Sequence, residues 1–496
     1  MSEIRQAPPR ASSMLESLRG MGYSTGTAVA DIVDNSISAG ASRVDIQFTW
    51  AGKASRVAIL DNGRGMNDME LENAMTLGDK SPLELRADGD LGRFGMGLKT
   101  ASFSQCRRLT VASTTSESRS CLRWDLDEIA RNPEIGWALH EGPASGSEEF
   151  IAPALQQPHG CLVLWEELDR IITKAFSVDH FLDLVDEVER HLAMVFHRII
   201  EGPKPALFLT INGHAVVPWD PFMSGHVAKP WESPIARRMT EAGQISVQCH
   251  VLPHKDRLSI EEFNHYGGPA GWTAQQGFYV YRNKRLLVAG GWLGLGQGRA
   301  WNREEAYQLA RIQLDIPNIA DAAWKIDIRK SSARPPVAIR PWLSKLAADT
   351  RERARRVFAY RSTPKSRSIS SSIELAWRTE HTKAGVKYRI EQQHPAVAAV
   401  LSACETHSEL IQAMLRIIEE TVPVQRIWLD TAEANDTPRL GFSGEPSAEV
   451  QHVLVALFND MVIRRNMSEE RARMTLAATE PFQDYPSLVA NLRLEA

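Results

Sequence analysis

The sequence predicts an α/β protein with two successive sheet-containing domains and a small helical C-terminal domain. Three observations predict this. From about 12 to 200, short β-branched runs alternate with amphipathic helical stretches. A "PKP" break at 203–205 is followed by a second set of such runs. From 373 onward most of the apolar residues recur with the 3.6-residue period of helices.

The chain has 496 residues, which at about 150 residues per domain gives roughly three domains. Hydrophobic residues at 43% and charged residues at 24% are ordinary for a soluble globular protein. A net charge of −4 supplies no whole-molecule attraction to nucleic acid and leaves only local patches to do so. Cys106, Cys121, Cys161, Cys249 and Cys404 are widely spaced and form no CxxC pair. That argues against a zinc ribbon or disulfide framework and fits a reducing cytoplasm. No run of 18 apolar residues occurs, so no membrane span is expected. The opening "MSEIRQAPPRASS" lacks the apolar core of a signal peptide, and residues 1–12 read as a flexible arm.

The elements follow in order. In the first domain, 13–202, strands are expected at "SRVDIQF" (42–48), "RVAILD" (56–61), "RLTVAS" (108–113) and "GCLVLWEEL" (160–168), then a long helix over 177–199. In the second, 203–360, strands are expected at "ALFLTING" (206–213), "ISVQCHVL" (245–252), "GFYVYRNKRLLV" (277–288) and "ARIQLDI" (310–316), then a helix near 340–358. The polar, proline-containing stretch 361–372 reads as a linker. "PAVAAVLSAC", "SELIQAMLRIIEE" and "AEVQHVLVALFNDMVIRR" give the last domain, 373–496, its helices.

Three stretches carry chemistry. In "ADIVDNSISAG" (30–40), Val29, Ala30, Ile32, Val33 and Ile37 cover one side of a helix. Asp31, Asn35 and Ser38 cover the other, flanked by Asp34, with Asp31 and Asn35 stacked at i and i+4. Alone this is the pattern of a solvated helix face. It also suits a ligand site, where an amide oxygen holds Mg²⁺ while a carboxylate one turn earlier orients a water. "ILDNGRGMND" (59–68) runs a strand into Asp61, with Gly63 and Gly65 giving backbone that a flat ring can approach. "DGDLGRFGMGLKTAS" (88–102) is a glycine-rich loop leading into a helix start, where free N–H groups favour anions. Each signal is weak alone; the three in this order within about 70 residues are specific.

E/D-x-x-x-N, then DxGxG, then GxxGxG is the pattern of the GHKL ATPases: gyrase B, heat-shock chaperones, histidine kinases and MutL. Over roughly 12–340 the chain resembles them. "DNSISAGASRVDI" and "DNGRGM" are similar to MutL and to the MORC ATPases, and "LGRFGMGLKTAS" to MORC. The resemblance implies a Bergerat-type sandwich that binds ATP, then an S5-like transducer domain. It implies that Asn35 coordinates Mg²⁺, Asp61 reads adenine, and Gly65 and Met66 line the base with Ala39 beside it. Gly92, Arg93, Phe94, Gly95, Met96, Gly97, Leu98 and Lys99 would form the phosphate-wrapping end of a lid over 76–96. The family's base is usually Glu; here Asp31 stands there, one methylene shorter, which implies slow hydrolysis. Asp34 is the alternative base. Cys161 stands where the family commonly has a Thr near the adenine network, so a weaker or water-mediated link is expected there. Lys330, in "WKIDIRKSSARPP", matches a lysine that reaches the γ-phosphate, with Lys325 as the fallback.

The basic stretch 351–367, with seven Lys or Arg against one Glu, resembles surface that faces DNA in MutL and MORC dimers. The resemblance thus implies a cytoplasmic, ATP-gated homodimer joined through its N-terminal domains and acting on DNA, in genome maintenance or phage defence. The C-terminal domain would be free for a protein partner. A chaperone-like ATPase with protein clients is the rival. No phospho-acceptor His helix, cleavage-domain length or endonuclease metal motif points to a kinase, topoisomerase or nuclease.

Overall fold

The computed structural model describes residues 9–20, 22–78, 97–321, 323–327, 330, 332–359, 374–382, 385–404, 407–424, 427 and 448–494. The chain divides into two compact units, 1–362 and 363–496.

The first sheet is built from β1 (Arg43–Thr49), β2 (Arg56–Asp61), β3 (Arg108–Thr114), β4 (Arg119–Asp125), β5 (His140–Glu141), β6 (Gly160–Glu166), β7 (Phe208–Ile211) and β8 (His214–Ala215). Their order is β5-β4-β3-β6-β2-β1-β7-β8. All neighbours pair antiparallel except β1 and β7, which run parallel. The helices of this part are α1 (Ala11–Arg19), α2 (Thr25–Ser38), α3 (Asp68–Met75), α4 (Gly97–Phe103), α5 (Leu126–Arg131), α6 (Glu148–Gln156), α7 (Val178–Val195) and α8 (His197–Ile200).

The alternation in β1, with Val44, Ile46 and Phe48 buried, and in β2, with Val57 and Ile59 buried, sends one face into the main core. Val29, Ile32 and Val33 of α2 and Phe181, Val188 and Leu192 of α7 meet it there. A smaller cluster, in which Ile151 and Ala154 of α6 pack on Ala112, Leu162 and Leu164, covers part of the opposite face. Strand β6 is therefore buried along its whole length, which explains its unbroken apolar run. The segment 206–213, expected to open the second block, instead extends the first sheet through the β1–β7 register.

The second sheet contains β9 (Trp231–Glu232), β10 (Ala236–Thr240), β11 (Gly243–Val251), β12 (Gly277–Arg282), β13 (Arg285–Ala289) and, after the short ladder β14 (Gly296–Gln297) and β15 (Arg299–Ala300), β16 (Ala310–Ile316). Its main path is β10-β11-β16-β12-β13, with β9 beside β11. Helices α9 (Ile260–Gly267), α10 (Gly271–Ala274) and α11 (Arg340–Ala359) belong to this part, and α11 lies against β11 and β16.

The C-terminal unit was expected to be helical. It holds helices at Pro395–Ala403, Ser408–Glu420, Ala448–Asn459 and Glu469–Ala477, around a core of Leu454, Phe458, Met461, Leu476 and Val489. It also has an antiparallel hairpin, β17 (Trp377–Thr382) and β18 (Gly385–Ile390). The hairpin carries mostly polar side chains, and Arg389 fastens it to Glu419 and Glu420 at 3.0 and 2.9 Å. Its stability therefore leaves no apolar run for a sequence reading to find.

Candidate functional site

Helix α2 starts at Ser24, whose hydroxyl accepts the Thr27 N–H, and ends at Ala39. It offers its polar side to the protein as well as to solvent. Asp31 and Asp34 are 4% and 1% exposed, whereas Asn35 between them and the next turn is exposed. The two carboxylates survive burial because cations reach them from β13 and from the segment that follows β16. Arg285, the first residue of β13, donates from Nε to Asp34 at 3.1 and 3.2 Å. Lys330 Nζ lies 2.5 Å from Asp34 Oδ2 and 3.1 Å from Asp31 Oδ1. Tyr23 donates its hydroxyl to Asp31 Oδ2 at 3.0 Å.

These partners set the protonation states. Burial works to raise the Asp34 carboxyl, but Arg285 and Lys330 outweigh it and hold Asp34 below its ordinary value. Burial, and the negative charge of Asp31, push the Tyr23 hydroxyl well up, so Tyr23 stays a donor. His191 on α7 is driven down to about 4 by burial and by the nearby Arg285 charge, and so stays neutral.

The Asp61 pocket is assembled at the end of β2. Asp61 Oδ1 accepts the Gly63 N–H at 2.8 Å and the Cys161 N–H at 3.3 Å, and Oδ2 accepts the Ser36 hydroxyl at 2.8 Å. A carboxylate has about four lone-pair sites, so one remains for an exocyclic amine. Burial nonetheless leaves the Asp61 carboxyl above its ordinary value, against the lowering effect of these bonds. Ala39 joins the same turn, its carbonyl accepting the Arg64 N–H at 3.0 Å.

Gly65 has a specific reason to be glycine. Its φ is +72°, and a Cβ there would come within 2.0 Å of the Thr114 carbonyl oxygen. Contact with β3 thus requires glycine here. Met66 follows, its N–H donating to Ser113 Oγ at 2.7 Å.

Cys161 reaches Asp61 through its backbone N–H. Its thiol lies 3.0 Å from Ser113 Oγ and is pushed up to about 12, mainly by burial. The thiol's poor hydrogen bonding therefore costs this network little.

The glycine-rich stretch divides. Gly92, Arg93, Phe94, Gly95 and Met96 lie outside the described residues, as does most of the expected lid. Gly97 opens α4, where a Cβ would lie 3.8 Å from Asp31 Oδ2, and Leu98 follows, half-buried. Lys99 departs from the expectation that it wraps phosphate. It is 1% exposed, and its ammonium donates to the carbonyls of Ala74 and Thr76 at 2.8 and 2.7 Å. A cation at the C-terminal carbonyls of α3 is favoured by the helix dipole, which holds this side chain away from α4's own N-terminus. Lys325, the fallback to Lys330, is exposed.

The basic stretch also divides. Arg351 is 6% exposed and sits in a cage of Trp292, Trp301 and Tyr307, its guanidinium 3.6 Å from the tyrosine ring centre. Arg353 lies over Trp231, and exposed Arg355 and Arg356 pair with Glu352. Residues 360–373 lie outside the described residues.

Sequence reasoning singled out Asp31, Asp34, Asn35, Asp61 and Lys330 but missed Tyr23, Ser36, Ser113 and Arg285. The basic turn "RNKRLL" was the available signal for Arg285; the tyrosine and serines had none beyond their residue type.

Residues 23–149 match the family described as "Histidine kinase-, DNA gyrase B-, and HSP90-like ATPase". The chain is 39% identical over 188 residues to the DNA mismatch repair protein MutL of Rhodospirillum rubrum, covering 38% of this chain and 26% of that protein. It is 38% identical over 113 residues to MutL of Enterobacter sp., covering 22% and 18%, and 38% identical over 93 residues to MutL of Shewanella woodyi, covering 18% and 15%. The chain thus spans about a quarter or less of the length of these curated relatives. With its eight-stranded mixed sheet and its buried Asp61 at the end of β2, the chain carries a GHKL ATPase domain of MutL-like type.

Proposed function

We propose that the chain is a slow, Mg²⁺-dependent ATPase in which Lys330 reports the γ-phosphate and thereby couples nucleotide state to the pairing of two copies on DNA. The observation that carries this reading is the contact of Lys330 with Asp31 and Asp34, 299 and 296 residues away in sequence. It supports a site in which a cation from the segment after β16 lies where the attacking water's base lies.

The residues divide the work. Asp61, backed by Ser36, Gly63 and Cys161, receives the adenine amine. Asn35 fits a Mg²⁺ ion: its carboxamide is exposed and makes no hydrogen bond among the described residues, and an amide oxygen is a hard ligand. When bound there, Mg²⁺ supplies charge neutralisation at the phosphates. Asp31, oriented by Tyr23, takes the proton of the attacking water. The Lys330–Asp31 pair occupies that base for as long as it lasts. A γ-phosphate offers Lys330 a stronger anion, so ATP and not ADP frees Asp31 and draws the loop around 330 toward the nucleotide. Arg285 stays on Asp34 and keeps that carboxylate out of the chemistry.

DNA as the client is supported by the name that the MutL relatives bear. A MORC-like kinship, a part in genome maintenance or phage defence, and a protein partner for the C-terminal unit are the outermost parts of the same reading. The test is light scattering after size exclusion, with ADP and with a non-hydrolysable ATP analogue, together with ATPase rates with and without duplex DNA. The analogue alone should raise the mass or compact an existing dimer, and DNA should raise turnover. Identical mass and shape with both nucleotides would remove the gating reading, and a rate indifferent to DNA would remove the client.

A further inference from the structure

A cavity of about 590 Å³ opens between α7, β13 and the segment that follows Lys330. Among the described residues its wall carries five cationic side chains, Arg285, Arg303, Lys330, Arg334 and Arg340, and no Asp or Glu. Two of these charges are spent. Arg285, buried, and Lys330, largely covered, are answered by Asp34 and Asp31. Three are not. Arg303, Arg334 and Arg340 are exposed and carry no ion pair among the described residues; Arg340 only donates to the Pro335 carbonyl. Three guanidinium groups lining one concavity repel each other, and no carboxylate among the described wall residues relieves the repulsion. Leu286 to Ala289 of β13 and Met194 and Val195 of α7 give the wall an apolar part, and Thr27, His191 and Ser332 add neutral polar groups.

We propose that this cavity is a second anion site, distinct from the Asp61 pocket, and that it takes a small phosphate-bearing molecule. Planar guanidinium forks match the oxygens of phosphate in pairs, which a single lysine cannot do. The volume suits a small ligand rather than a bare ion. A concave pocket admits a free polyphosphate or phosphorylated metabolite more readily than the convex backbone of a duplex. Binding there needs no nucleotide at Asp61, so the inference stands apart from the ATPase reading.

The test uses the full chain and inorganic pyrophosphate without Mg²⁺, followed by titration calorimetry at fixed salt. Pyrophosphate should bind the natural protein and Asn35→Ala alike. The charge reversal Arg303→Glu with Arg334→Glu should weaken it at least tenfold, while a fluorescent ATP analogue with Mg²⁺ still binds within twofold of normal, which also shows that the variant is folded. Three results would overturn the proposal: no pyrophosphate binding at all; binding that is lost in Asn35→Ala yet survives the double reversal, which would place the anion in the nucleotide site; or a short DNA duplex that depends on Arg303 and Arg334 where pyrophosphate does not bind. A natural protein that binds pyrophosphate but no ATP analogue would sink the ATPase reading and leave this one standing.

Discussion

Arg285 and Lys330 grip the same carboxylate from different segments of the chain: Arg285 Nη2 is 3.1 Å and Lys330 Nζ 2.5 Å from Oδ2 of Asp34. Asp34 is almost completely buried, so both cations answer a charge that water cannot reach. Asp31 is held less tightly among the described residues, by Tyr23 at 3.0 Å and Lys330 at 3.1 Å with Arg285 at 3.9 Å, which favours Asp31 over Asp34 as the proposed base.

Asp34→Ala should therefore cost about 3 kcal/mol of folding stability, because it strips buried Arg285 of its close carboxylate and leaves Lys330 with Asp31 alone. Urea unfolding at pH 7 measures it. Asp31→Asn should unfold nearly as the natural protein does, bind an ATP analogue, and lose turnover. Normal hydrolysis by Asp31→Asn would return the base to Asp34.

Lys330→Ala should bind ATP nearly normally, since the base and the inner phosphates supply most of the affinity. Its turnover should fall at least tenfold, about the loss expected for one contact to developing charge. A rate within twofold of normal in a steady-state assay would show that Lys330 never reaches the phosphate.

Asp61→Asn separates stability from function. The folded carboxyl sits above its ordinary value of 3.8. Ionising it therefore opposes folding: stability is fullest below 3.8 and declines as pH rises through the raised value. An amide carries no such penalty. The variant should melt no lower than the natural protein at pH 7 while binding ATP more weakly and choosing less strictly between adenine and guanine. Unchanged ATP affinity would refute the adenine role.

The pH profile should show acid weakness above the carboxylate range. His191 and His250 are both held near 4 by burial, against an ordinary value of 6.5. Both favour the neutral form when folded, so their contribution is intact above 6.5 and is lost as pH falls toward 4. Up to about 3 kcal/mol per histidine is at stake. Denaturant midpoints at pH 7, 6 and 5 should fall steadily. Asp34 adds its own loss only lower, as pH falls below 3.8.

Gly65→Ala should destabilise the fold by at least about 2 kcal/mol, combining a left-handed backbone with collision against Thr114. Thermal melting checks it, and a normal melting temperature would mean the turn can move away from β3.

The parts of this architecture that repeat locally were legible beforehand. The alternation in 56–61 gave β2, and the i, i+4 spacing of Asp31 and Asn35 placed both on one turn of α2. What depended on distant partners was not. Nothing near Arg285 says that its partner lies 251 residues earlier. Lys99 stands in a glycine-rich context that suggests phosphate, yet its ammonium donates to the carbonyls of Ala74 and Thr76, at the end of a helix two dozen residues before it. The β17–β18 hairpin went unseen because ion pairs, not an apolar face, tie it down.

The parallel seam between β1 and β7 bears on how the protein can be divided. A fragment cut at 202, where composition suggests a boundary, would lose β7 and β8 and bare the outer rim of β1, whose pattern of apolar and polar side chains then borders open backbone donors and acceptors. Such a rim recruits other chains. Soluble pieces of the nucleotide-binding half should therefore run at least through Ala215, and shorter ones should aggregate even though every residue of the pocket formed by Asp61, Ser36 and Cys161 is still present.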